Sequence, residues 1–383
     1  MDKKNQTVIS VKKLKKKISE ALLFFGRTIF GVFCCFAGMY SVIKLAENGS
    51  DVFYYAMAFA SPGTAIEILS QPPREEQISS TVPSPEVSGD AQTEPENEPE
   101  PEPSPDDEPK NIPEVPESRR GTVTETQYSA SEGGLYVAFG NAIIKNCTHH
   151  SAEKIKSMLK TEHNLSLSTE LGDTPQVLVY HTHATEGYEP ADRGYFDLEG
   201  TWRSTEASEN MVAVGDSLTS VLTENGIGVV HDGTMHDDPS YNGSYQRSAV
   251  TISGYLEKHP EISVCLDIHR DAIEPSETEI MKPTAVINGK KAAQIMIIAG
   301  CDDGTMNMPD YWENLRFAAA LADKLEELYP GICRPILFDY RKYNMDLSPG
   351  LLLIEIGATG NTLEEAQYSA ELLGNALAEL LIE

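Results

Sequence analysis

Three apolar runs in the C-terminal two-thirds of this 383-residue chain each end on a side chain that can bind metal or move a proton. Val177-Leu178-Val179-Tyr180 runs into His181-Thr182-His183-Ala184-Thr185-Glu186, Ile262 to Ile268 into His269, and Leu351 to Ile354 into Glu355. Apolar runs this short, bounded by polar residues and rich in branched side chains, read as buried strands. In an open α/β sheet, ligands bind beyond the carboxyl ends of the strands. The pattern therefore predicts strands whose C-terminal ends bring two histidines and a carboxylate to one place.

The residue types point to zinc chemistry. Zinc accepts imidazole nitrogen and carboxylate oxygen, and a catalytic site keeps three protein ligands and one open position. His183 and Glu186, three residues apart after the first strand, supply two ligands, and His269 is the candidate third. Glu355 is the candidate general base, taking a proton from the attacking water and passing it to the leaving amine. Amide hydrolysis without a covalent intermediate follows. The chain has no G-x-S-x-G elbow, C-x-x-C pair or glycine-rich phosphate loop that would suggest another chemistry.

The remaining polar candidates read as supporting or surface groups. His181 reads as a second-layer or substrate-contacting group, and His231 and His236 flank a loop that could line a groove. His149, His150, His163 and His259 lie in polar surroundings and read as surface residues. Thr362 and Glu365 have the spacing of a helix capping box, with Asn361 available to cap and site alike.

Composition divides the chain. Met1 to Glu20 carries seven lysines, and residues 21–43 hold about twenty apolar positions, enough to cross a bilayer. Arg27 can snorkel from the cytoplasmic end. Lysines ahead of the span place residues 1–20 in the cytoplasm and everything after residue 43 outside. The alternative of a cleaved signal peptide is disfavoured by the length of the apolar stretch and by Lys44, which stands where small residues should precede a cut. The expectation is a single-pass anchor in the lipid bilayer, then a juxtamembrane segment over 44–71. From Pro72 to Ser118 there are twelve prolines and fourteen acidic residues against two basic ones. Residues 72–121 therefore read as a disordered, self-repelling acidic linker. It accounts for much of the net charge of −29, which disfavours nucleic-acid binding.

Residues 122–383 are long enough for one sizeable domain. Strand-like runs near 135–145, 177–180, 227–231, 262–268, 284–287, 294–299 and 351–356 alternate with helical patterns at 206–225, 244–258, 311–329 and 363–382. This predicts an α/β fold, a mostly parallel sheet with helices on both faces. Asn288-Gly289 predicts one hairpin within it. Cys34 and Cys35 fall in the apolar span and the other four cysteines are widely spaced, so neither a disulfide framework nor a thiolate metal site is predicted.

Five motifs, VLVYHTHATEGY, DDPSYNGSYQRS, LDIHRDA, the run around Tyr343-Asn344, and IEIGATGNTLEEA, resemble in order and spacing the stage II sporulation protein P family over roughly residues 175–383. The resemblance implies a membrane-anchored cell-wall hydrolase of endospore formers that removes septal peptidoglycan during engulfment. It implies an N-acetylmuramoyl-L-alanine amidase with endopeptidase activity on cross-links, and an extracytoplasmic catalytic domain at the septum. As partners it implies a sporulation lytic transglycosylase and a further sporulation membrane protein. Glu355-x-Gly357-x-x-x-Asn361 looks like the catalytic Glu motif of zinc-dependent muramoyl amidases. Those amidases take their ligand Glu from the start of the next helix, here near Glu206 or Glu209, whereas metallocarboxypeptidases use His-x-x-Glu as in His183 and Glu186. Glu186 is the preferred second ligand and Glu209 the reserve. Tyr241, Arg247, Arg270, Asp271 and Asn361 remain candidates for supporting the site or touching substrate. Two further functions stay open: a zinc carboxypeptidase, with Arg270 or Arg247 holding the free carboxylate, and a non-catalytic wall-binding scaffold.

Overall fold

In the computed structural model, which describes Ile112 and residues 114–382, alternation along the strands settles which side chains meet. The chain enters through β1 (Arg120–Thr126) and a hairpin of β2 (Tyr136–Phe139) and β3 (Ala142–Asn146). Helix α1 (Ala152–Met158), β4 (Val177–Tyr180), β5 (Tyr195–Asp197), α2 (Met211–Glu224) and β6 (Val229–Asp232) follow. Next come α3 (Ser244–Lys258), β7 (Val264–Asp271), β8 (Glu279–Ile287), β9 (Lys290–Ala293) and β10 (Ile295–Gly300). Helix α4 (Tyr311–Leu328), β11 (Ile336–Asp339), β12 (Leu351–Ala358) and α5 (Leu363–Leu381) complete the order.

An eight-stranded sheet has the order β2-β3-β11-β10-β12-β7-β4-β6, and a four-stranded sheet the order β5-β1-β8-β9. Both are mixed, which corrects the expectation of a mostly parallel sheet. In the larger sheet β2–β3 and β10–β12 are antiparallel, and in the smaller β1–β5 and β8–β9 are. For β8–β9 and β10–β12 the reason lies in Asn288-Gly289. Both residues adopt positive φ, 52° and 78°, as a tight hairpin with the twist of its strands requires. The reversal sends β9 back along β8. With only Gln294 between them, β10 continues in that direction and enters the larger sheet against β12. The hairpin partner is thus β9, and β10 belongs to the other sheet. On the far side of β10, the strands β12, β7, β4 and β6 run parallel to one another, so their C-terminal ends share one edge.

The two faces of that sheet are covered unequally. Val177, Val179, Val264, Leu266, Ile268, Leu352, Ile354 and Ile356 pack with α2, α4 and α5. Leu178, Tyr180, Cys265, Leu351 and Leu353 face the other way, toward Ile252 of α3. Period-two alternation then continues along β7 from Cys265 to Asp267 and His269, and along β12 from Leu353 to Glu355. All three polar side chains therefore project from the α3 face. The capping box of α5 is present, with Thr362 and Glu365 each satisfying the other's backbone N–H.

The fold also reaches into the stretch read as linker. Val115 is buried, Arg119 grips Asp197 through two nitrogens, and β1 starts at Arg120. The other proposed segments, residues 1–20, the apolar span 21–43, residues 44–71 and most of 72–121, lie outside the described residues. Among the described residues, no helix is long and apolar enough to cross a membrane.

Candidate metal centre

His183 leaves the end of β4 in a turn closed by the Glu186 N–H donating to the His183 carbonyl, 3.2 Å. The turn brings the Glu186 carboxylate back over the sheet edge, where β7 presents His269. Donor atoms of His183, Glu186 and His269 lie within 4.8 Å of one another, and all three residues are buried. His183 Nδ1 is 3.7 Å from Glu186 Oε1, and His269 Nδ1 is 3.6 Å from Glu186 Oε2. Ligand atoms about 2.0–2.1 Å from a tetrahedral zinc stand about 3.3 Å apart. The two histidine–carboxylate separations, each to a different oxygen of Glu186, are a few tenths of an ångström longer than that value, and the donor set suits such an ion.

Behind His269 stands a carboxylate that the sequence reading overlooked. Asp267 Oδ1 lies 2.9 Å from His269 Nε2, off-axis for a hydrogen bond but close as a charge pair. Asp267 is fully buried and accepts from the Thr182 N–H at 2.8 Å and the Thr182 hydroxyl at 2.7 Å. Thr182 meets Ser248, which takes a hydrogen bond from Asn344. A carboxylate behind a ligand histidine fixes the ring and raises its basicity. Its signal was available in the sequence: Asp267 precedes His269 by two, the spacing that shares a strand face.

The two histidines differ in electrostatics. Burial, the neighbouring His269 charge and the guanidinium groups of Arg203 and Arg270 push His183 down to about 2, so it is neutral and ready to ligate. Burial would lower His269 too, but Asp267, Glu186 and Glu355 outweigh it and raise His269 to about 10. Glu355 is the register partner of His269 across β7 and β12. It lies within its strand rather than after it, since β12 runs on to Ala358.

At the mouth, Tyr241 stacks on His183 with ring centroids 4.3 Å apart, and the Arg203 guanidinium lies 5.1 Å from the Tyr241 ring centroid. Tyr241 thus contacts the cluster, as its candidacy required. Several other candidates are placed elsewhere. Glu209, the reserve ligand, is exposed and accepts from Ser204. His181 turns to the opposite side, toward α2, where Gly215 leaves room for it; a Cβ there would sit 2.7 Å from its Nε2. Its Nδ1 meets the Ile268 carbonyl and its Nε2 meets His231, which pairs with Asp216. His236 is buried between the His181 carbonyl and Thr251 rather than lining a groove.

Arg270 is buried, and its guanidinium serves the carbonyls of Gly187, Asp271 and Trp202. Arg247 likewise holds the carbonyls of His236, Ser240 and Asn242. Asp271 pairs with Arg334. Asn361 clasps the turn after β12, accepting from the Ala358 N–H and donating to the Pro283 carbonyl and Glu365. These residues build the walls and do not touch the cluster through the bonds just named, apart from the Arg270 N–H, which faces Glu186 at 3.3 Å.

Fold and site together define the class: a mixed α/β protein with a buried His–Glu–His cluster, able to hold one metal ion, at the C-terminal edge of parallel strands. Residues 49–378 match the stage II sporulation protein P (SpoIIP) family, and the chain belongs to it. It is 29% identical over 220 residues to stage II sporulation protein P of Bacillus subtilis (strain 168), a match covering 55% of this chain and 52% of that one. The chain thus spans about half the length of that curated relative. Among solved structures, an N-acetylmuramyl-L-alanine amidase from Mycobacterium smegmatis is similar over 55% of this chain and 98% of its own, at 12% identity and TM-score 0.31. The CwlD amidase from Clostridioides difficile, in complex with the GerS lipoprotein, is similar over 53% and 94%, at 11% identity and TM-score 0.31. Likenesses this distant carry no weight for the site's chemistry.

Proposed function

We propose that this protein is a zinc-dependent peptidoglycan hydrolase of sporulation that cleaves the amide between N-acetylmuramic acid and L-alanine, and peptide cross-links besides. Family membership supports the sporulation role. The observation that carries the chemistry is the buried cluster of His183, Glu186 and His269 with Glu355 beside it. These three residues would hold the ion through two imidazole nitrogens and a carboxylate. Zinc bound there supplies a Lewis acid for the scissile carbonyl and makes water acidic enough to attack near neutral pH. Asp267 holds the His269 ring in place, and Tyr241 shields the His183 face from solvent. Glu355 accepts the proton of the attacking water and returns it to the leaving amine.

The carboxypeptidase alternative loses the two arginines read for it in the sequence, because Arg270 and Arg247 are both engaged with backbone carbonyls. A non-catalytic scaffold would have no use for a complete ligand set with a carboxylate alongside. The apolar segment 21–43 anchors the chain with its catalytic domain outside the membrane. A lytic transglycosylase and a further sporulation membrane protein act with it. The test is to incubate zinc-loaded full-length protein with purified peptidoglycan and identify the released fragments by mass spectrometry. Free stem peptides beginning with L-alanine are expected. Release of single C-terminal residues alone would establish the carboxypeptidase, and no release at all would overturn the hydrolase reading.

A further inference from the structure

Arg203 is built differently from the other arginines around the cluster. Its backbone is fixed against the ligand turn: Arg203 forms a β-bridge with Glu186, and the flanking Ser204 N–H donates to the Thr185 carbonyl at 2.9 Å. Its Nη1 donates to Asp237 Oδ2 at 2.7 Å and to the Thr185 hydroxyl at 2.9 Å. The Asp237 side chain is fully buried and receives Thr185 as well, so this anchor cannot swing away. Nη2 stands 3.6 Å from Glu186 Oε1, beyond hydrogen-bond reach, and 40% of the side chain stays exposed. A guanidinium whose only duty was to neutralise Asp237 would not need to stand beside a metal ligand, half in solvent.

We propose that Arg203 is a specificity-determining residue that receives a carboxylate of the substrate peptide close to the scissile bond. The planar fork suits a carboxylate, and with one nitrogen already fixed, little rotamer freedom remains to be lost on binding. Its spacing from Glu186 is about the rise of one extended residue, which places the carboxylate on a residue at or next to the cleaved amide. Arg270 and Arg247 have no comparable group to offer, being wired to carbonyls. The proposal rests on the hydrolase reading and names the anionic feature that the site selects.

The test measures binding rather than turnover. Full-length, zinc-loaded Glu355→Gln protein is sedimented with peptidoglycan whose stem-peptide carboxylates are intact or chemically converted to amides. A hydrogen-bonded charge pair of this kind makes a difference of roughly tenfold to a hundredfold in affinity. Amidation should weaken binding by that factor in the Arg203-containing protein. Arg203→Ala should lose the same factor on intact peptidoglycan and show no further loss on the amidated form, with zinc content unchanged. Arg203→Lys, keeping charge without the fork, should fall between. If the parent binds and Arg203→Ala binds equally well, or still pays the full penalty of amidation, Arg203 has no such role. If the parent binds neither form, the peptidoglycan reading fails and takes this proposal with it.

Discussion

Replacing Asp267 by asparagine isolates the carboxylate behind His269. The substitution keeps shape and removes one charge. Taking about 4 Å between charge centres and an effective dielectric of about 20, that charge contributes about 4 kcal/mol, or about three pH units, to the protonated imidazole. His269, raised to about 10, should therefore titrate near or below its ordinary range in the variant, where burial dominates. In the parent, metal must displace the proton from His269 Nδ1. Zinc affinity should accordingly rise about tenfold per pH unit between 7 and 9, while in Asp267→Asn this slope should flatten. Near pH 10, where His269 is no more than about half protonated and proton competition costs only about twofold, the variant should bind zinc about 10- to 100-fold more weakly, as loss of a partner behind a ligand does. Folding should change little: the amide oxygen keeps the Thr182 N–H and the amide nitrogen donates to the Thr182 hydroxyl, which can accept, so only the charge-assisted part of these bonds, about 1 kcal/mol, is lost. Chelator-competition titrations across pH and urea unfolding of the metal-free proteins measure both effects. A pH-independent parent affinity between 7 and 9, or identical slopes in the two proteins, would refute the reasoning.

Glu355→Gln should lower turnover of peptidoglycan by about 100- to 10,000-fold while zinc stoichiometry holds, because the three ligand atoms lie elsewhere; zinc loss would make Glu355 a ligand. Metal-free protein should show a stability optimum near pH 6.5 from its buried histidines. Below that, His181 and His183, lowered to about 3 and about 2, stay neutral in the folded state while the unfolded chain takes up protons, so stability falls as pH falls toward 3. Above it, folded His269 retains a proton that the unfolded chain has lost, so its contribution drains away as pH rises toward 10, by about 1.4 kcal/mol per unit at most. Denaturant midpoints from pH 4 to 10 check this, and a monotonic rise through pH 9 in His183-containing protein but not in a His269→Ala control would contradict the sign.

Much of the architecture could be read from local chemistry. The four longer helices fall where the apolar periodicity puts them, α3 with the same bounds, because an amphipathic stripe is a local property. The ligand candidates His183, Glu186 and His269 share the feature that first drew attention to them, a polar side chain following a buried run. Strands whose partners lie far along the chain were harder to see. β1 is largely half-exposed and lacks the hydrophobic signal of a buried central strand, whereas β11 carries that signal in Ile336, Leu337 and Phe338 alone, a run too short to tell from a loop between two helices. Sheet direction was misjudged because a two-residue turn at Asn288-Gly289 sends β9 and β10 back against β8 and β12, and a turn carries no information about which sheet the next strand will join.

At the site, residue type and spacing picked out the three side chains that gather in the cluster, since ligand chemistry belongs to single side chains. Which carboxylate completes the set was left between Glu186 and Glu209 by spacing. It took the turn after β4, with Arg203 bridging back to it, to bring Glu186 over the edge while Glu209 faces water. Likewise His181 and His183 differ by two positions and by nothing in chemistry, yet the chain turns after leaving its strand at Tyr180 and they end on opposite sides of the sheet. Facing is set by neighbours such as Gly215, whose missing Cβ admits one imidazole, and by Asp267, which draws in another. Such contacts join residues tens of positions apart, so they exist only once the strands have paired.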